Sequence, residues 1–135
     1  DFGSVVGGAL NQASGISSSV FGGESNAASG SNGVVVGGDS NNASGNWSSV
    51  SGGQLNTASG TRSSVSGGCL NVASGTGGSV SGGAENTASG TFSVVVGGGV
   101  LGTSVGTAGN IADGILSVVV GDTSNTATSD LGILP

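Results

Sequence analysis

An asparagine returns every fifteen residues through the first two thirds of this chain, at Asn11, Asn26, Asn41, Asn56, Asn71 and Asn86. Two positions after each stands Ala, then Ser, then Gly, as in Asn56-Thr-Ala58-Ser-Gly60. The other half of the period is as regular. Val5, Val20, Val35, Val50, Val65, Val80 and Val95 are each followed, after one intervening residue, by Gly-Gly. The unit is S-V-x-G-G-x-x-N-x-A-S-G-x-x-x, and six coils keep it without an insertion. A period of this kind is the signature of a stacked repeat architecture.

Fifteen residues are too few for a helix–turn–helix unit, and Gly and Ser are poor helix formers. Each half-unit instead predicts a strand of about five residues ending in a Gly corner. Period-2 geometry points Val to one side and its neighbours to the other, and places Asn, Ala and Gly of N-x-A-S-G on one face. Stacked, these units predict an all-β chain: a single flattened parallel β-solenoid, or β-roll, with two narrow sheets. About eight coils at ~4.8 Å each make a rod roughly 38 Å long.

The register breaks once. The pattern resumes at Asn110-Ile-Ala112 and Asn125-Thr-Ala127, and the step from Asn86 to Asn110 is 24, so nine residues have been inserted. Residues 1–98 are therefore regular coils, 99–109 an inserted loop on one edge, and 110–130 the final coils. The tail 131–135 is expected to belong to no coil.

A Val facing an Ala leaves room only for a slim core, whose hydrophobic contribution is about 1.5–3 kcal/mol per Val and less per Ala. The asparagine column, Asn11 to Asn86 with Asn110 and Asn125, is expected to add side-chain ladders passing hydrogen bonds from coil to coil. Gly supplies positive φ at corners and close approach of the sheets. The first coil begins in register with no cap, since Asp1-Phe-Gly-Ser4 aligns with Thr91-Phe-Ser-Val94. Because an open solenoid end is a sheet edge, excision from a longer array, end-to-end stacking or capping by a partner is expected. The absence of Met points to a processed chain or a piece of a longer one.

Composition excludes most chemistry. The 135 residues include 31 Gly and 26 Ser, one Cys, no His, and one cation, Arg62, against seven carboxylates, for a net charge of −6. Without His there is no Ser-His-Asp or Cys-His relay. One Cys allows neither a disulfide framework nor a thiolate zinc site. One cation cannot neutralise several phosphates, so nucleic acid is excluded as a partner. No apolar run approaches the ~18 residues of a membrane span, and the acidic balance suits a solvent-facing surface. No enzyme activity, cofactor or metal is expected.

Local look-alikes are absorbed by the repeat. Gly97-Gly-Gly99-Val-Leu-Gly102 has the form G-x-G-x-x-G, but the residues after it make a poor helix, so it reads as a Gly-Gly corner entering the insert. Gly102-Thr-Ser104-Val-Gly106 has the form of a nucleophile elbow, with no His to act as its base. Gly38-Asp39-Ser-Asn41 and Gly121-Asp122-Thr-Ser-Asn125 offer too few hard ligands for calcium. Cys69 occupies a variable corner and reads as an incidental thiol. Asn42-Ala-Ser44 and Asn46-Trp-Ser48 are glycosylation sequons, with meaning only in a eukaryotic secretory context. Phe2, Trp47 and Phe92 share a corner column, where corner packing is expected ahead of sugar stacking.

Function must then lie on the outward positions. Beside the Ala column, Thr57, Ser59, Val72, Ser74, Thr87 and Ser89 form a small, hydroxyl-rich face suited to ice or a polar ligand. Beside the Val column, Val6, Phe21, Val36, Val96 and Val120 form apolar patches suited to subunit contact, with self-association expected as a homotrimer or by end-to-end stacking.

The repeat resembles that of trimeric autotransporter adhesin heads of the YadA type. The head unit S-V-A-I-G-x-x-A-x-A-x-G is similar to Ser49-Val50-Ser-Gly-Gly53 and Ala58-Ser-Gly60. Here Gly52 stands where the head has Ile, and the period is fifteen rather than fourteen. The repeat also resembles those of long bacterial surface proteins and phage-type fibres. A second resemblance is to grass antifreeze repeats, x-x-N-x-V-x-G-x-x-N-x-V-x-x-G, through Asn56-Thr-Ala58-Ser-Gly60 and Ser63-Ser-Val65-Ser-Gly-Gly68. Both cover roughly residues 3–98 and 110–128. They imply, respectively, a non-enzymatic adhesive or structural domain at the cell surface or outside the cell, and an ice-binding solenoid.

Overall fold

The structure is a computed structural model that describes residues 2–99, 109–131 and 133–134. It is all-β, with no helix among the described residues. Alternate strands in sequence fall into two parallel sheets, one of nine strands built on the Val half-coils and one of eight built on the Ala half-coils. Each strand pairs with its equivalent in the next coil: Val20 with Val35, Val35 with Val50, Ala43 with Ala58. The predicted β-solenoid is the fold.

The strands are shorter than the expected five residues. Nearly all have two, as at Ser49–Val50 and Thr57–Ala58, and Val94–Val96 and Val118–Val120 have three. Fifteen residues must close a full turn, so extended geometry is interrupted at several corners per coil. In the coil containing Trp47, positive φ is adopted by Trp47, Gly52, Gly53 and Leu55. Inter-coil hydrogen bonding nevertheless continues around those corners, through Gln54 N–H to Gly68 O and Leu55 N–H to Asp39 O. The coil is a hydrogen-bonded ring of which the strands are only the straight pieces.

The core is one residue thick on each wall. Val20, Val35, Val50, Val65, Val80, Val95 and Val119 face Ala28, Ala43, Ala58, Ala73, Ala88, Ala112 and Ala127, all buried. Asn26 to Asn110 are buried with them. A further inward column escaped the sequence reading: Ser18, Ser48, Ser63, Ser93 and Ser117 are buried two residues before each Val, with Gly33 and Gly78 taking the same place in other coils. Ser18 Oγ donates to Gly15 O at 2.8 Å, whereas the hydroxyls of Ser48, Ser63, Ser93 and Ser117 have no protein partner.

The stack passes over the insert without losing register. Val94 pairs with Val118 and Thr87 with Ile111. Residues 100–108 lie outside the described residues. Gly99 and Gly109 bracket them, and a Cβ at either would overlap a backbone carbonyl, of Ala84 and Glu85 respectively. The expectation that 131–135 belongs to no coil is corrected. Ile133–Leu134 pairs with Val118–Val119 as the last strand of the Val sheet, and Leu131 N–H donates to Ile115 O at 2.7 Å. Leu134 stands at the place in the repeat held by Val elsewhere, a substitution that hid the register.

Candidate functional site

The asparagine spine is built differently from a side-chain ladder. Asn56 Nδ2 donates to Gly52 O within its own coil and to Gly68 O of the next, both at 2.9 Å. Its Oδ1 accepts the backbone N–H of Asn71 at 3.0 Å. Asn26, Asn41, Asn71 and Asn86 repeat this arrangement. Asn110 continues it across the insert, accepting from Asn125 N–H while its own N–H donates to Asn86 Oδ1. The amides thus bond to backbone, and the expected side-chain-to-side-chain ladder is absent among the described residues. The cause in the regular coils is the left-handed residue before Asn11, Asn26, Asn41, Asn56, Asn71 and Asn86, such as Leu55 at φ 56°. It turns the Asn backbone N–H out of the regular ladder and leaves the side-chain carbonyl below to receive it. The spine is structural, since both ends of every interior amide are occupied.

Two outer faces remain. On the Ala sheet, Thr57, Val72 and Thr87 lie in direct register, and Ser59, Ser74 and Ser89 follow two residues on. Ser59 and Ser74 are exposed, and the other four are half-buried among their neighbours. The row is not uniform at its end, because Ser89 Oγ donates to Asp113 Oδ1 at 2.9 Å. On the Val sheet, Val6, Phe21, Val36, Val96 and Val120 all point outward, each between 41% and 56% exposed. Ser51, Ser66 and Ser81 separate the two apolar groups, and Ser64 and Ser79 share a hydroxyl contact at 3.3 Å.

The corners carry the remaining chemistry. Trp47 and Phe92 occupy one left-handed column and stay about half exposed, with the Arg62 guanidinium 5.5 Å from the Trp47 ring centre. Phe92 lies against the backbone of Gly77, one coil below. Leu10, Leu55 and Leu70 make an exposed column at another corner, one that alternation could not reveal because each sits at positive φ. Asp39 accepts from Ser40 Oγ at 2.8 Å and Gln54 Nε2 at 3.0 Å. These hydrogen bonds, Ser40's first, hold its carboxyl below the ordinary value of 3.8. Asn41, two residues on, turns into the core and cannot join it as a ligand. Among the described residues no three acidic, Cys or His side chains come together, and no pocket opens in either face. Cys69 is half-buried at its corner. The Gly97-Gly98 pair forms the usual corner at positive φ, while Val100–Gly102 and the Gly102–Gly106 elbow lie outside the described residues.

No family model matches the chain, and no curated protein matches it.

Proposed function

We propose that this chain is a non-enzymatic structural or adhesive domain of a surface-borne or secreted fibre, associating laterally as a homotrimer through the outer face of its Val sheet. The observation that carries this reading is the chemistry of that face. From Ser4–Val6 to Val118–Val120 its outward positions hold only Ser, Val and Phe, and no charge. The carboxylates of Glu24, Asp39, Asp113 and Asp122, and the cation of Arg62, all sit at corners or on the Ala sheet. An outward Phe21 or Val36 gains about 1.5–3 kcal/mol on burial, and three rods packed about an axis would bury these groups together. The reading agrees with the resemblance to trimeric adhesin heads. Sedimentation at micromolar concentration is expected to give a trimer that Phe21→Ser with Val36→Ser converts to monomer. A native chain that sediments as a monomer overturns the reading.

Ice binding is the second reading, favoured by the in-register Thr57/Val72/Thr87 row with its companion Ser59/Ser74/Ser89 row. Its test is thermal hysteresis with ice-crystal shaping, and their absence at high protein concentration rules it out.

A further inference from the structure

The chain's one cation, Arg62, and two of its four aromatic rings, Trp47 and Phe92, fall on one corner of the rod. Residues 47, 62, 77 and 92 hold the same place in four successive coils, all with φ between 55° and 66°. Backbone hydrogen bonds of 2.8 Å tie each to the coil below: Trp47 N–H to Ser31 O, Arg62 N–H to Asn46 O, Gly77 N–H to Thr61 O and Phe92 N–H to Thr76 O. The column is therefore held at the coil spacing, and at ~4.8 Å per coil it spans roughly 14 Å from Trp47 to Phe92.

The side chains there are positioned without being covered. Arg62 sets its guanidinium 5.5 Å from the Trp47 ring centre, where the cation meets the negative face of the ring. Gly77 brings no side chain, and Phe92 leans into the space, since a Cβ on Gly77 would overlap its ring. Trp47 and Phe92 each remain 55% exposed. Asn46, exposed beside Trp47, is fixed by its Oδ1, which accepts Ser31 N–H at 3.1 Å, and its Nδ2 has no partner among the described residues. Arg62 likewise makes no ion pair among the described residues. From residue 31 to residue 98 the carboxylates are Asp39 and Glu85, both at the opposite corner. A guanidinium carries five donors and no acceptor, so with one face on the indole its edge is open to an anion.

We propose that this corner binds an acidic oligosaccharide, with a uronic acid carboxylate on Arg62 and the C–H faces of neighbouring sugar rings on Trp47 and Phe92. Exposed, rigidly held rings offer such faces a flat apolar surface, and Asn46 Nδ2 offers a donor to a sugar hydroxyl. Charge decides among anions. One cation matches one carboxylate, and a net charge of −6 repels a ligand charged at every unit. The ligand is therefore a uronic acid set among neutral sugars. An acidic peptide satisfies Arg62 but leaves both rings bare. No residue of the Val face takes part, so the inference stands apart from lateral association.

Trp47 is the only Trp and the chain has no Tyr, so its fluorescence reports on this corner. The probe is an aldotriouronic acid, one glucuronic acid on two xyloses, titrated against the whole chain. Saturation is expected at about 1 mM. Its uncharged methyl ester, and the native probe on Arg62→Gln, are each expected to bind at least about fivefold more weakly. Phe92→Ala, which keeps the reporter, is expected to weaken binding severalfold. No saturable change up to about 20 mM overturns the site. An ester that binds as well as the acid, or either variant binding as the native chain does, overturns it too. A peptide carrying one glutamate that binds as tightly as the probe overturns the assignment to sugar.

Discussion

Each interior asparagine closes two gaps that a chain with left-handed corners opens in its own backbone. Without Asn56, Gly52 O loses its amide donor and Asn71 N–H loses its acceptor, while Gly68 O keeps Gln54 N–H. Asn56→Ala is expected to cost about 2–6 kcal/mol, since each of the two buried groups left unpaired costs about 1–3. Urea denaturation measures it. Glycine is required just as locally. Gly38 has φ 87°, and a Cβ there would overlap Gly53 O, whereas a Cβ on Gly37 meets nothing within 4 Å and Gly37 lies outside the positive-φ region. Gly38→Ala should therefore cost at least ~3 kcal/mol. Gly37→Ala should be neutral or stabilise by about 0.4–1 kcal/mol, by reducing the freedom of the unfolded chain. Equal melting temperatures for the two variants would contradict this account. Asp39 adds a small pH term. Its lowered carboxyl makes its hydrogen bonds stabilising above the ordinary value of 3.8, and that contribution is lost as pH falls through the lowered folded value.

At the scale of the coil, stability is a property of neighbours rather than of any one turn. A coil holds two short strands and contacts only the coils above and below, so the stack should tolerate removal of a whole unit. Deleting residues 46–60 joins Gly45 to Thr61, brings Val35 under Val65, and sets Asn41 under Asn71. The shortened chain is expected to keep the β circular dichroism spectrum with a modestly lower Tm. Deleting residues 46–59 instead leaves one surplus Gly at that corner, which must bulge out while the coils on either side keep their own spacing, so this chain should melt below the one lacking all fifteen residues. The insert follows the same logic. The rings on either side of it pair as though it were absent, Val94 with Val118 and Thr87 with Ile111.

For the molecule as a whole, charge is kept off the Val face. A net charge of −6 at pH 7 makes like rods repel, while the Val face is uncharged. Lateral association should strengthen as pH falls toward the pI of about 4.1, where that repulsion vanishes. It should strengthen also with added salt, which screens it. Sedimentation across pH and ionic strength checks this, and association that weakens in both directions would point to a charged interface instead.

The fifteen-residue period by itself determined the fold class, the parallel pairing, the two sheets and the inward columns of Val, Asn and Ala, because a strict repeat of alternating residues has one way to bury them all. It determined equally which residues line each outer face. Tertiary structure decided what depends on backbone direction. The left-handed residues before Asn11 to Asn86 turned the spine's bonds toward backbone groups rather than along a side-chain ladder, and left Leu10, Leu55 and Leu70 exposed at that corner. Corner closure cut the strands to two residues, whereas the buried Ser18 to Ser117 column follows from alternation alone, since each Ser lies two residues before an inward Val. Ile133–Leu134 joined the Val sheet because an open strand edge offers hydrogen bonds to any extended segment in register, even one where the repeat's valine is replaced by leucine.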